Sequence, residues 1–225
     1  MFQRSIPRRL FYDFLRLLCR IAAVVLFRIR CRGRHHMPRE GPVLVCSNHQ
    51  SFLDPVIIGL VFQRRLNYLA RKSLFRFGPF RWLIEVLDAI PLEREGLGMA
   101  GLKESLRRLR QGEMVLIFPE GTRTPDGTVW PLKPGFCVLA RRTNACLLPV
   151  AIDGAYDAWP RTARFPRLKA IQVCVGEPIG SDFVHHIDDR QLVDELERRI
   201  RLCHDLTRAG RSYRRRAGGA RSREE

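Results

Sequence analysis

Val43-Leu44-Val45-Cys46-Ser47-Asn48-His49-Gln50-Ser51-Phe52-Leu53-Asp54-Pro55 passes in one line from an apolar run, through a polar cluster, to the start of a helix. Val43 to Cys46 reads as a short buried strand. Pro55 suits the first turn of a helix, and Asp54 before it suits an N-cap. Strand, short loop and helix in that order form an α/β unit, and the polar residues fall in the loop at the strand's carboxyl end. Further along, Met114 to Ile117 repeats the apolar run and Phe118-Pro119-Glu120-Gly121-Thr122-Arg123 repeats the polar cluster. Two such clusters can converge on one site in an open α/β sheet.

The alternation continues on both sides. Strands are predicted at 43–47, 66–70, 88–92, 114–118, 147–152 and 169–176, and helices at 55–63, 79–87, 97–111, 134–142 and 188–206. Leu102, Leu106 and Leu109 mark the inner face of the third helix, and Gly112 stops it. Leu192, Leu196 and Ile200 mark one face of the last. A sheet with helices on both sides follows. No repeat and no linker divides the middle, so one domain is expected over 33–207.

The ends differ from the middle. The chain of 225 residues carries a formal charge of +17; residues 1–40 hold a net +8 and residues 208–225 a net +5. Basic ends suit phosphate-bearing partners, anionic lipid or nucleic acid. Thirty-six of the forty basic residues are Arg, a bias that codon composition alone can produce. Residues 9–30 lack Pro and Gly and read as one helix, with Arg9, Asp13, Arg16 and Arg20 on a single stripe and nearly everything else from Leu10 to Phe27 apolar. Its longest uncharged run, Ile21 to Phe27, is too short to span a bilayer, which needs about 20 residues. No small-residue cleavage site follows, so a signal peptide is not expected. Residues 1–32 are therefore read as a membrane-associated amphipathic helix lying in one leaflet, against the simpler reading of a helix packed on the protein's own core. Residues 208–225, rich in Arg, Gly, Ser and Ala, read as a disordered basic tail. Seven scattered cysteines with no C-x-x-C pair suggest neither a disulfide framework nor a zinc site, and point to a reducing compartment. Cys46 and Cys174 read as small core residues.

His49 and Asp54 are the pair with catalytic potential. The bland reading is a loop His and a capping Asp. The other is that the carboxylate reaches His49 Nδ1, fixes the tautomer, and leaves Nε2 as a general base. No G-x-S-x-G occurs, so direct activation of a substrate hydroxyl is simpler than an acyl-enzyme. In the second cluster a surface turn is the bland reading. Alternatively Gly121 lets main-chain N–H groups approach an anion, and Arg123 binds phosphate in a bidentate way. Lys72 and Arg94 each follow a predicted strand and could add positive charge to the same edge.

These motifs carry a resemblance to the glycerolipid acyltransferase family that includes 1-acylglycerol-3-phosphate acyltransferases. Asn48, His49 and Asp54 match its N-H-x4-D motif, and Phe118 to Arg123 match F-P-E-G-T-R residue for residue. Leu87 to Arg94 matches the G-x-I-F-I-D-R motif loosely, keeping the final acid–Arg pair. Leu147-Leu148-Pro149-Val150 meets the apolar run containing Pro, and Ala70 to Phe75 resembles the basic segment between the first two motifs. The similarity covers roughly residues 40–180. It implies the glycerol-3-phosphate acyltransferase-like fold: α/β, a single domain with a mixed, largely parallel sheet flanked by helices. It implies transfer of a fatty acyl group from acyl-CoA or acyl-carrier protein to a lysophospholipid hydroxyl, with 1-acyl-sn-glycerol-3-phosphate the expected acceptor and phosphatidic acid the product. His49 is then the base and Asp54 its support. Lys72, Arg94, Glu120, Gly121, Thr122 and Arg123 shape the acceptor's phosphate site, with Glu120 holding the loop or a basic neighbour. A thiolate leaves readily, so no metal or cofactor is demanded. An anionic membrane surface, on the cytoplasmic face of the inner (plasma) membrane, is the expected partner, and nucleic acid is not. Glycerol-3-phosphate, another lysophospholipid or an acylated amino-acid lipid stay open as acceptors. More remote readings are a silent lipid-binding relative and a nucleic-acid binder using the Arg-rich ends.

Overall fold

The structure, a computed structural model, describes residues 17–18, 21, 24–71, 89–92 and 99–221. Most of the predicted N-terminal helix, the helix predicted at 79–87, Lys72, Arg94 and Cys19 lie outside the described residues.

Seven strands form one sheet: β1 (Arg30–Arg32), β2 (Val43–Ser47), β3 (Leu66–Arg71), β4 (Ala89–Leu92), β5 (Met114–Ile117), β6 (Cys146–Asp153) and β7 (Gln172–Val175). Their spatial order is β1-β7-β6-β2-β5-β3-β4. Every neighbouring pair is parallel except β6 and β7. The sheet is thus mixed and largely parallel, as expected. The helices are α1 (Asp54–Val61), α2 (Met99–Arg110), α3 (Gly135–Thr143), α4 (Ala155–Ala158), α5 (Ser181–His186) and α6 (Asp189–Arg221).

Strand β2 sits in the middle with both faces covered, which is why it reads as an unbroken apolar run. Val43 and Val45 point into one layer with Ile57, Ile58 and Val61 of α1. Leu44 and Cys46 point into the other with Leu106 and Leu109 of α2, Phe136 and Leu139 of α3, and Leu192, Leu196 and Ile200 of α6. The inner faces expected for α2 and α6 are the ones buried.

The crossovers define a crevice. From β2 the chain passes through α1, over one face, to β3; from β5 it passes through α3, over the other face, to β6. Adjacent parallel strands whose connections depart in opposite directions make a topological switch point, and the gap outside their carboxyl ends is where ligands bind in open α/β sheets. The Asn48–Asp54 and Phe118–Arg123 segments both leave the sheet there.

Two expectations at the ends are corrected. The helix predicted over 9–30 stops early: residues 24–27 are helical, Arg28 takes a left-handed φ of 46°, and β1 follows. Main-chain pairing explains the switch, since Arg30 N donates to Ile171 O (3.2 Å) and β1 aligns with β7. Gly33 then turns the chain with φ 70°, where a Cβ would lie 2.0 Å from Val175 O. At the other end, α6 runs through Arg221, so residues 208–221 continue a helix instead of forming a disordered tail. Arg211 supplies a reason: its Nε lies 2.7 Å from Asp153 Oδ2, and its Nη1 pairs with Asp157.

Candidate active site

The loop after β2 gathers buried polar side chains, most of whose polar atoms are hydrogen-bonded. Asn48 spans the strand gap: its Nδ2 donates to Ile152 O (3.0 Å) and its Oδ1 accepts from Ile152 N (2.8 Å). It completes the sheet pairing where β2 ends beside β6. Asp54, fully buried, turns back toward the loop. Its Oδ2 accepts from Gln50 N (2.6 Å) and Ser51 N (2.7 Å) and lies 2.8 Å from His49 Nδ1. Asp54 therefore does not act as the helix N-cap; that position is Leu53, without a side-chain cap. An oxygen already accepting two amides is an acceptor toward the ring too, so Nδ1 is the nitrogen that carries a proton, and in the neutral ring the lone pair is on Nε2.

Phe118 stacks on the imidazole with ring centroids 3.9 Å apart and planes 16° apart. His49 is 19% exposed and Asp54 0%, so the ring edge away from Asp54 is the one a substrate can reach. A neutral imidazole held on one edge and one face can accept a proton at Nε2, and the carboxylate then stabilises the imidazolium.

The second motif is zipped to the first through His49's main chain. His49 N donates to Glu120 Oε1 (3.2 Å), and Thr124 N donates to His49 O (2.8 Å). Glu120 thus ties the second loop to the first. Burial pushes its carboxyl up to about 8, against the opposing pull of the His49 and Trp130 main-chain amides. Near neutral pH it is largely protonated, so it adds little negative charge beside a phosphate. Gly121 has φ 74°, and a Cβ there would meet Lys133 Nζ at 3.1 Å. Its N–H donates to Phe118 O (2.9 Å), so that amide closes the turn and is not offered to an anion as the sequence suggested. Arg123 lies over the Phe52 ring, its guanidinium carbon 3.5 Å from the centroid. Thr122 sits half-buried between them. The structure therefore brings His49, Asp54, Glu120, Gly121, Thr122 and Arg123 to one edge, while Lys72 and Arg94 lie outside the described residues.

A second ring of residues braces this edge. Gln50 donates through Nε2 to Gly127 O (2.7 Å), accepts from Tyr156 N (3.2 Å), and lies 3.4 Å from His204 Nε2 on α6. His204 is buried next to Asp153, which Arg211 also pairs; burial holds its basicity down although Asp153 opposes. Ser51 Oγ donates to Trp159 O (2.8 Å), and Trp159 packs on Phe52 with centroids 5.6 Å apart. None of these partners is near Gln50 or Ser51 in sequence, so local patterning does not reveal them.

The family profile described as Acyltransferase matches residues 28–153, more than half of the chain and all of this edge. The chain belongs to the acyltransferase family. This acyltransferase is 28% identical over 159 residues to the 1-acyl-sn-glycerol-3-phosphate acyltransferase of Bacillus subtilis, covering 70% of this chain and 77% of that one. It is 31% identical over 171 residues to the protein of the same name from Pseudomonas aeruginosa, covering 73% of this chain and 63% of that one. Among solved structures, the acyltransferase is similar to the 1-acyl-sn-glycerophosphate (LPA) acyltransferase PlsC of Thermotoga maritima, with a TM-score of 0.75, 25% identity, and 89% of this chain and 81% of that one covered.

Proposed function

We propose that this acyltransferase moves a fatty acyl group from the thioester of acyl-CoA or acyl-carrier protein to the free hydroxyl of 1-acyl-sn-glycerol-3-phosphate, giving phosphatidic acid for phospholipid biosynthesis. The observation that carries the reading is the 2.8 Å contact between His49 Nδ1 and Asp54 Oδ2 at the switch point, in a chain similar to relatives so named. His49 Nε2 takes the proton of the acceptor hydroxyl as its oxygen attacks the thioester carbonyl. The tetrahedral intermediate then expels the thiolate, the C–S bond breaks, and the proton passes to sulfur. Asp54 orients the ring and balances its transient charge. Arg123, held against Phe52, is the cation for the acceptor phosphate, and Glu120, Gly121 and Thr122 set the loop that carries it. Lys72 and Arg94 are proposed to complete the phosphate site.

Acceptor and product both reside in a bilayer, so we place the enzyme on the cytoplasmic face of the inner membrane, with residues 1–32 as an anchor in one leaflet. Among the described residues no helix is long and apolar enough to cross a membrane.

The test is transfer from labelled long-chain acyl-CoA to lysophosphatidic acid by purified protein in detergent. His49→Ala is expected to lower turnover by at least about a hundredfold; turnover near the unmodified level would refute the assignment. Activity with acyl-carrier protein alone, or with another acceptor alone, would replace the donor or acceptor named here.

A further inference from the structure

Large apolar side chains that folding leaves in water call for a partner. Among the described residues the three most exposed are Phe165 (71%), Val25 (68%) and Leu168 (67%). They are not scattered. Val25 and Leu168 line one groove of about 270 Å³ together with Leu26, Arg28, Lys169 and Ala170. The two segments are tied side by side, since Ile171 N donates to Phe27 O (3.0 Å). Phe165 stands three residues before Leu168 on the same exposed loop.

That loop, residues 159–170, is Trp-Pro-Arg-Thr-Ala-Arg-Phe-Pro-Arg-Leu-Lys-Ala. Arg161, Arg164, Arg167 and Lys169 alternate with its apolar residues, and no acid occurs between Asp157 and Glu177. Its shape is set by its own bonds: Trp159 Nε1 donates to Ala163 O (3.0 Å), Ala163 N to Pro160 O (3.1 Å) and Arg167 N to Ala158 O (2.7 Å). Its root is the Trp159 that packs on Phe52 and accepts from Ser51, beside His49.

We infer that residues 161–169 form a docking surface for the headgroup layer of an anionic phospholipid leaflet, beyond the proposed anchor of residues 1–32 and contiguous with its end at Val24 to Leu26. Charge and chemistry choose this occupant. Exposed aliphatic and aromatic tips flanked by several cations on one strap match an interface of acyl chains beneath phosphates. The core of a protein–protein interface is depleted of charge, whereas this strap carries four cations and no acid. Nucleic acid offers nothing to Leu168 or Val25. Docking here sets the loop root, and with it Arg123 and His49, at the level of the headgroups. The inference rests on the proposed bilayer setting of the enzyme, and the experiment separates the two.

The full chain is mixed with vesicles of phosphatidylcholine alone, or with one-third phosphatidylglycerol, and its partition measured by flotation. R164Q/R167Q/K169Q is expected to weaken partition to the anionic vesicles by about a hundredfold and to leave partition to the neutral ones within about twofold. F165S/L168S is expected to weaken both by at least about tenfold. All five positions are exposed, so melting temperatures should match the unmodified protein. As a reporter independent of overall affinity, F165W should add fluorescence that brominated acyl chains quench. Partition unchanged in both variants, or no quenching at F165W, overturns the docking surface. A variant that alters sedimented mass instead of partition assigns the patch to a second copy of the chain and also overturns it. Failure of the unmodified protein to float with either vesicle overturns the bilayer setting itself.

Discussion

Replacing Asp54 by Asn and by Ala separates two jobs that one carboxylate performs. Oδ2 accepts the main-chain amides of Gln50 and Ser51 at 2.6 and 2.7 Å and faces His49 Nδ1 at 2.8 Å. In Asp54→Asn the two amides keep an oxygen at that point, so the loop, the tautomer and the ring position are retained. Only the negative charge is lost. Unit charges about 4 Å apart attract by about 4 kcal/mol at an effective dielectric of about 20, and full loss of that stabilisation would slow proton uptake by about 10³. Water at the exposed edge of His49 screens part of it, so kcat is expected to fall by about 10²–10³, with the melting temperature within a few degrees. Asp54→Ala leaves two buried amides without an acceptor, at about 1–3 kcal/mol each. The melting temperature should then fall by about 5–20 °C, at about 2–4 °C per kcal/mol for a chain of this size. Acyl transfer to lysophosphatidic acid and differential scanning calorimetry read the two effects. Asp54→Asn with activity within about threefold of the unmodified enzyme would refute the charge argument, and Asp54→Ala with unchanged melting would refute the loop-anchoring argument.

Glu120 gives a pH signature. Its folded carboxyl titrates near 8 instead of 4.5, so between those values the folded chain holds a proton that the unfolded chain has released. Stability is expected to fall as pH rises through that window, by at most about 1.4 kcal/mol per unit. Glu120→Gln should remove this slope, so its advantage over the unmodified protein in urea unfolding grows from pH 5 to pH 8; a constant difference would show that Glu120 is ionised throughout. Arg123→Ala should raise the acceptor KM more than the thioester KM in steady-state kinetics, and the reverse would move the phosphate site elsewhere. Truncation after Thr207 removes Arg211 and leaves buried Asp153 without that cation. A loss of about 3 kcal/mol or more is expected by chemical denaturation, whereas a dispensable tail would lose nothing.

What could be read from the sequence follows where folding energy is local or periodic. Val43 to Cys46 and Met114 to Ile117 are apolar because both their faces are covered, and α2 shows its buried stripe directly. Asn48, His49 and Asp54 were legible as a motif because their loop is short enough for the carboxylate to reach back. Strand β1 was not, since Arg30-Cys31-Arg32 has no apolar pattern and is held at the sheet edge by main-chain pairing to β7. Helix α4 spans one turn after Gly154, too short for any period. The extension of α6 was hidden because Arg211 looks like one more basic residue until Asp153 and Asp157 are brought beneath it. Gln50 is the sharpest case: its partners come from Gly127, Tyr156 and His204, three segments that only the closed sheet assembles.

The zip along His49's main chain also bears on how the enzyme comes into being. The bond from His49 N to Glu120 crosses 71 residues of chain, and it forms only where β2 and β5 lie side by side. Contacts of such long sequence separation are made late, after loop-closure entropy has been overcome. A nascent or partly collapsed chain therefore presents a histidine without its second loop. Competence for acyl transfer arrives together with the central strand pair.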